Sequence, residues 1–234
     1  PMPLAPSNGS SGQERAPTIP EVLRHVLSKR TVLLLAVAFA GHVFVENGYR
    51  TWVPSFLEED FGLSTFQASF WSMAAHYAGA FLGVTLGGRF SDRLAVRRRA
   101  VRMEFQYLGM ILASPFIIWM GMAAGPVTCC IALALFGLFR GVYDSNLFAA
   151  LFDVIEPRYR SSAVGLMLAV VFFFSAFAPV VLGWAKVKIG LSAALSMLSL
   201  AYVIGGLILL FARNRTFQRD YYDESAAPAP AAGA

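Results

Sequence analysis

Two long apolar stretches contain ionisable side chains at four-residue intervals. His42, Glu46 and Arg50 recur in the first stretch, and Arg140 and Asp144 repeat the spacing in the fourth. Side chains four residues apart lie on one face of an α-helix. A guanidinium stays charged and binds anions through several N–H donors, whereas a buried carboxylate can take up and release a proton. This combination favours a site that binds an anionic solute and couples its binding to proton transfer.

A structural role is the alternative for the same residues. Glu46 with Arg50, and Arg140 with Asp144, have the spacing of ion pairs that neutralise each other within one helix. Arg140 lies about 21 Å along its helix from Pro126, near the middle of a ~30 Å hydrocarbon layer. Arg50 lies at the outer edge, where its side chain can reach the interface. We therefore assign binding to Arg140 and coupling to Glu46 or Asp144, with structural pairing as the alternative.

Other polar side chains lie close to these groups along the chain. His42 shares the face of Glu46, and Tyr143 directly precedes Asp144. The candidate substrate-binding and coupling residues are Arg140, Asp144, Glu46, His42, Asn47, Arg50, Tyr143 and His76. No nucleophile, metal-ligand cluster or cofactor motif accompanies them in the sequence. We therefore predict no catalytic residue, no metal and no cofactor, and a protein that is not an enzyme.

The composition places these residues inside a membrane. The chain is 57% hydrophobic and 14% charged, which is outside the range of ordinary soluble domains. Each apolar run is close to the ~20 residues that span a bilayer as a helix, and none has the alternation of a barrel strand. The runs cover residues 31–50, 66–88, 104–123, 126–152, 163–185 and 191–212. The sequence predicts an all-α membrane protein with six transmembrane helices.

Basic residues between the predicted spans indicate the orientation. Arginines cluster at residues 89–102, at Arg158 and Arg160, and near both termini, whereas Lys186 and Lys188 lie on the other side. The positive-inside rule then predicts that both termini are cytoplasmic in the plasma membrane, the inner membrane of a bacterium. The net charge of +5 thus reflects topology, and we predict no nucleic-acid partner because the arginines form no continuous stripe.

The chain divides into four predicted segments. Residues 1–17, rich in Pro, Ser and Gly, form a disordered cytoplasmic linker. Residues 18–30 form an amphipathic cytoplasmic helix that begins with Thr18 and Glu21 at capping-box spacing. Residues 31–213 form the six-helix transmembrane domain. Residues 214–234 form a largely disordered cytoplasmic tail.

A short hydrophilic segment between the second and third spans has a distinctive pattern. Residues 88–99 begin with a glycine, contain one acid and end in a group of arginines. The pattern positions are Gly88, Asp92, Arg93, Ala95, Arg97 and Arg98. This segment resembles the signature loop of the major facilitator transporters. Ala95 departs from the family pattern, which has a second glycine here, and alanine avoids the positive φ that glycine allows.

Two further segments extend the resemblance over residues 18–215. Residues 52–57 with 62–64 resemble the outer end of the seventh facilitator helix, including that of organic anion and sugar-acid symporters, and residues 156–165 resemble the loop entering the eleventh. The resemblance implies a six-helix bundle that corresponds to the C-terminal half of the family fold, helices seven to twelve. It also implies a partner, the N-terminal six-helix half, which these residues do not include.

The resemblance gives the charged residues a functional context. It implies that helices seven and ten, which carry the charged groups, line a cavity used in alternating access, with a small-molecule substrate and protons as partners. It implies a conformational-switch loop in which the acid caps a neighbouring helix. The residues assigned to this switch are Gly88, Asp92, Arg93, Arg97, Arg98 and Arg160. Arg97 and Arg98 have a second interpretation as anchors to anionic membrane lipids.

The leading hypothesis is half of a secondary active transporter for a small polar solute, coupled to protons. An anion is favoured by Arg140, but a neutral sugar-like solute becomes equally suitable if Asp144 neutralises that charge. No nucleotide-binding loop supports an ATP-driven pump. A non-transporting membrane scaffold or sensor is the alternative, and a membrane enzyme is less well supported.

Overall fold

The computed structural model describes residues 18–223, and this part of the chain contains helices and connecting turns but no strand. The predicted linker at residues 1–17 and residues 224–234 of the predicted tail lie outside the described residues. The helices are α1 (Ile19–Ser28), α2 (Arg30–Phe61), α3 (Thr65–Ala95), α4 (Val101–Gly121), α5 (Pro126–Phe152), α6 (Arg160–Ser175), α7 (Ala178–Ile189), α8 (Leu191–Arg215) and α9 (Phe217–Asp220).

The long helices are those of a membrane bundle. Four single helices, α2, α4, α5 and α8, are long and apolar enough to span a membrane, as is the segment Pro157–Ile189 that contains α6 and α7. That segment is interrupted between α6 and α7, immediately before Pro179, because proline lacks the N–H that a continuous helix requires. At 31 residues, α3 is long enough to span a membrane, but it is not among the helices that are also apolar enough.

Close packing of α3 against α5 forms the rigid centre of the bundle. A Cβ added at Gly79 would lie 1.9 Å from the Ala134 carbonyl oxygen, and one at Gly83 would lie 1.9 Å from that of Leu138. On the facing helix, a Cβ at Gly137 would lie 2.2 Å from the His76 oxygen. The two backbones therefore touch directly, as the four-residue spacing of small residues on α3 predicts. This contact places His76 beside the α5 turn that carries Arg140.

At one end of the bundle, the C-terminal segment caps the first long helix. We call this the basic end; it is defined by Asp92, Arg93, residues 97–102, Asp153, Arg160 and Arg213. The residue before α2, Lys29, offers the helix no side-chain cap. Asp220 replaces it, because its Oδ2 accepts hydrogen bonds from both the backbone N–H and the hydroxyl of Thr31, each at 2.8 Å. A carboxylate at a helix N-terminus also interacts favourably with the helix dipole.

We expect the Asp220→Ala variant to be less stable by about 1–3 kcal/mol, because it leaves the buried backbone N–H of Thr31 without its acceptor and removes one of the two partners of the Thr31 hydroxyl, which also contacts Thr216. Asp220→Asn should lose less, since it retains an acceptor oxygen. The midpoint of thermal unfolding in detergent measures the effect. Gln218→Ala is the matched control, because Gln218 is an exposed residue of the same short helix. Equal midpoints for Asp220→Ala and Gln218→Ala would contradict a capping role.

Candidate functional site

Arg140 is the centre of an ionic network that joins three helices. Its Nη2 lies 2.8 Å from Glu46 Oε2 on α2 and 3.3 Å from Asp144 Oδ2 on its own helix, α5. Its Nη1 lies 3.1 Å from the Nε2 of His76 on α3. The Arg140 side chain is 11% exposed and that of Glu46 is 15% exposed. A charge so far from water is tolerated only where it is paired, and here two carboxylates provide the pairing.

Both ion pairs expected within single helices are present, but they belong to this larger network. The pair between Arg50 Nη1 and Glu46 Oε1 is 3.4 Å long, and the Arg50 side chain is 48% exposed. The shortest bond of Arg140 crosses from α5 to α2 to reach Glu46. Four charged groups therefore form a chain in the order Arg50, Glu46, Arg140, Asp144, with two positive and two negative charges. The network is electrically balanced when its histidines are neutral.

His42 extends the network to a fourth helix. Its Nε2 lies 3.1 Å from Asp144 Oδ1, and its Nδ1 lies 3.0 Å from the hydroxyl of Tyr202 on α8. The ring of Tyr143 stacks on the imidazole with centroids 4.5 Å apart. Tyr202 is absent from the predicted set. The signal that could have found it is a tyrosine in the middle of a highly apolar span, where a hydroxyl requires a hydrogen-bond partner.

In addition to the Nδ1 of His76, three donors near the network have no hydrogen-bond partner among residues 18–223. They are the Nε of Arg140 and the hydroxyls of Tyr49 and Tyr143. Tyr49 packs against the ring of His76, with centroids 4.8 Å apart. A buried donor without a partner costs free energy, so a site that contains three of them is suited to a ligand that accepts hydrogen bonds.

Asn47 lies apart from the network. Its Nδ2 donates to the carbonyl oxygen of Ser175 at the end of α6, 3.3 Å away. The neighbouring Trp52 Nε1 donates to the Pro179 carbonyl at 2.9 Å. These two bonds tie α2 to the interruption between α6 and α7, where helix ends have unpaired carbonyl groups. Of the eight predicted site residues, the structure joins seven around Arg140 and His42 and places Asn47 elsewhere.

The predicted signature loop is shorter than the sequence suggested. Gly88 to Ala95 continue α3 as helix, and only the following residues form the turn before α4. Alanine at position 95 favours this continuation, because it has high helix propensity where the family glycine would not. Among residues 18–223, positive φ angles occur only at Gly62 and Gly190. The turn after Ala95 therefore needs no left-handed residue.

The switch residues are distributed over the basic end rather than gathered in one cluster. Asp92 is 72% exposed and lies 3.7 Å from Arg102, which also binds Asp153 at 2.7 Å. Burial raises the pKa of the Asp153 carboxyl, while the adjacent Arg102 acts in the opposite direction. Arg160 donates to the backbone carbonyl groups of Ile155 and Phe152, at 3.3 and 3.2 Å.

The remaining switch arginines point outward from the basic end. Arg98 Nη2 pairs with Glu104 Oε1 at 2.8 Å. Arg93 and Arg97 are exposed, as is the Arg98 side chain. Exposed arginines at a membrane boundary are well placed to contact lipid headgroups.

Comparison with known proteins identifies the family. The sequence pattern described as the Major Facilitator Superfamily matches residues 1–179. The chain belongs to the Major Facilitator Superfamily. Its fold is half of a facilitator fold: a bacterial homologue of the human lysosomal transporter Spinster, inward-facing and unoccupied, superposes with a TM-score of 0.77 at 19% identity. The match covers 96% of this chain and 55% of that one. The expected fold class is thereby confirmed.

Two relatives illustrate the place of this facilitator among transporters. The probable sulfoacetate transporter SauU of Cupriavidus necator is 31% identical over 182 residues, covering 76% of this chain and 42% of that protein. The citrate-proton symporter of Salmonella typhi is 34% identical over 89 residues, covering 38% of this chain and 20% of that protein. The chain spans about two-fifths of the length of the relatives that it matches over most of its own length.

Membership of this family settles the class of protein. Facilitators are membrane transporters and not enzymes, so the membrane-enzyme alternative is removed. The family and the apolar helices together make this a multi-pass integral membrane protein.

Proposed function

We propose that this chain is the C-terminal half of a secondary active transporter that moves a small anionic solute by alternating access, coupled to protons. The observation that carries the proposal is Arg140, a buried guanidinium held by two carboxylates from different helices. The names of two relatives, which refer to sulfoacetate and to citrate with a proton, support an acidic substrate.

Charge balance suggests how protons and substrate are coupled. Both carboxylates already neutralise Arg140, so a substrate carboxylate gains the full attraction of the guanidinium charge only when one of them gives way. When Glu46 accepts a proton it loses its charge and its hold on the guanidinium weakens. The substrate carboxylate then takes its place, using the planar donor set that suits a carboxylate. Release of the proton from Glu46 restores the original pair and expels the anion.

The orientation and the missing part of the site belong to the same proposal. We place the basic end in the cytoplasm of the plasma membrane, with both termini inside, because positive residues are retained on that side. A second six-helix half would face the Arg140 network and complete a binding site at the interface between the two halves. The transmembrane unit would be residues 31–213, preceded by α1 lying along the membrane surface.

The proposal is tested by uptake of radiolabelled citrate into proteoliposomes that contain the complete transporter, with and without an imposed pH gradient. We expect the gradient to drive accumulation. Glu46→Gln, which resembles the protonated residue, should retain exchange of substrate across the membrane but lose gradient-driven accumulation. Glu59→Gln is the matched control, because Glu59 is half exposed and pairs with Lys186 away from the network. Should citrate be no substrate, a panel of small dicarboxylates and sulfonates replaces it.

Two outcomes would count against the proposal. If the wild type takes up acids of the panel at rates that do not depend on the pH gradient, the proposed proton coupling is wrong. A Glu46→Gln variant that accumulates substrate like the wild type would show that Glu46 does not take part in the coupling step.

A non-transporting scaffold is the second candidate, because all four charges of the network are paired in the structure. Absence of any uptake or exchange by the complete protein would favour it.

A further inference from the structure

We infer that Tyr202 is a positioning residue that allows His42 to gain and lose a coupling proton without leaving Asp144. The inference rests on the proposed transport function and adds to it a second protonatable group, on the side of the network opposite Glu46. It is carried by the two hydrogen bonds of the His42 ring and by the chemistry of the groups that make them.

Both ring nitrogens of His42 have partners on other helices. Nε2 lies 3.1 Å from Asp144 Oδ1, and Nδ1 lies 3.0 Å from the Tyr202 hydroxyl. An ionised carboxylate can only accept hydrogen bonds, so the Nε2 facing Asp144 carries a proton. The neutral tautomer therefore has Nδ1 as an acceptor, and the Tyr202 hydroxyl donates to it. A proton arriving at His42 must bind Nδ1.

A hydroxyl serves both states of this nitrogen, because it can either donate or accept a hydrogen bond. When Nδ1 is unprotonated, the Tyr202 O–H donates to it; when Nδ1 is protonated, the hydroxyl rotates and its oxygen accepts. Neither change disturbs the bond from Nε2 to Asp144. The imidazole can therefore exchange a proton while its ring stays fixed, which a backbone carbonyl or a carboxylate at this position would not permit, since each only accepts.

The surroundings of His42 determine the electrical consequence. The ring is 1% exposed and is held between Tyr143 and Phe39 in addition to Tyr202. The titratable and charged groups near it on the packed helices are Asp144, Arg140 and Tyr143 of α5, His76 of α3, Tyr202 of α8 and Glu46 of its own helix. Together with Arg50, which pairs with Glu46, these charges balance when both histidines are neutral. One added proton gives the network one net positive charge, which favours entry of one anionic charge.

Packing keeps the Tyr202 ring in place independently of its hydroxyl. The residue is fully buried, and its ring contacts that of Phe136 with centroids 5.4 Å apart. Tyr202→Phe therefore removes the hydrogen bond while leaving the packing shape. In this variant both states of Nδ1 lose their partner, but the protonated state loses more because hydrogen bonds of charged groups are the stronger ones. The protonated state of His42 is therefore disfavoured, and the bond to Asp144 remains.

The test compares Tyr202→Phe with wild type in proteoliposomes containing the complete transporter, using the substrate identified by the panel above. We expect gradient-driven uptake at neutral pH to fall roughly fivefold, the pH profile of uptake to move to lower pH, and exchange at equal pH on both sides to be retained. Tyr107→Phe is the control, because it removes a tyrosine hydroxyl from another span. In a His42→Gln background, Tyr202→Phe should cause no further change in the pH profile.

A wild-type pH profile for Tyr202→Phe would overturn the inference while leaving the proposed function intact. An equal loss of exchange and of gradient-driven uptake, with no movement of the profile, would show a structural role and would also overturn it. In the His42→Gln background, an additional shift of the profile would mean that Tyr202 does not act through His42. If Tyr202→Phe does not fold, His42→Gln alone decides, because a wild-type pH profile there would overturn the inference. Gradient-independent uptake by the wild type would instead refute the proposed function itself.

Discussion

Arg140→Ala is expected to reduce substrate uptake at least about a hundredfold. The change removes the proposed anion partner and leaves Glu46 with only the half-exposed Arg50 and Asp144 with only His42. Truncating one partner of a buried, hydrogen-bonded charge pair in a binding site costs about 2–5 kcal/mol, and a hundredfold loss of affinity corresponds to about 3 kcal/mol. Arg140→Lys should restore only part of the activity, because an ammonium cannot bridge two carboxylates in one plane. Initial uptake rates per folded transporter measure both effects.

Two further variants separate binding from stability. Arg24→Ala removes an exposed arginine of α1 and should leave uptake unchanged. The double variant Arg140→Ala with Glu46→Gln removes one of the two carboxylates that lose Arg140, and it should recover thermal stability without recovering uptake. Near wild-type uptake by Arg140→Ala would contradict the assignment of this residue. Recovery of uptake by the double variant would show that Arg140 only neutralises Glu46.

Gly83→Val is expected to prevent formation of the folded bundle. The added Cβ would lie 1.9 Å from the Leu138 carbonyl oxygen, and its next neighbours are also backbone atoms of α5. Backbone atoms cannot change rotamer, so relief requires separation of two helices, and we expect a loss of more than about 3 kcal/mol. The yield of monodisperse protein in size-exclusion chromatography measures the outcome.

Gly165→Ala provides the matched control for this prediction. A Cβ at Gly165 meets nothing within 4 Å, and alanine is a better helix former than glycine. The yield of Gly165→Ala should equal or exceed that of the wild type. A monodisperse Gly83→Val protein with wild-type yield would mean that α3 and α5 do not require backbone contact.

The fold was largely predictable because hydropathy reports on the bilayer directly. Four of the six apolar runs lie within single helices of the structure; the run 104–123 extends two residues beyond α4, and the run 163–185 is divided between α6 and α7 just before Pro179. The end of α3 was predicted less accurately, since residues 88–95 are polar enough to resemble a loop but are helical. Polarity indicates where a helix leaves the membrane, whereas its end is determined by backbone conformation and capping.

The site was predictable only in part. Spacing along one helix correctly paired Arg140 with Asp144 and Glu46 with Arg50, because a four-residue interval fixes proximity. It could not show that Arg140 binds Glu46 more closely than Asp144, or that Tyr202 reaches His42, because these contacts depend on how separate helices pack. The switch residues illustrate the same limit: Arg160 binds backbone carbonyl groups that no side-chain pattern reveals.

The contact between α3 and α5 also constrains how the network can rearrange. With no layer of side chains between them, these helices have little room to slide, so His76 and Arg140 should travel as one unit. Glu46 reaches Arg140 from α2 through the tips of two long side chains, a joint that can lengthen without moving any backbone contact. Spin labels placed to follow α2 against α5 should therefore report the transport cycle as a change of distance, while labels on α3 and α5 should keep a constant separation throughout.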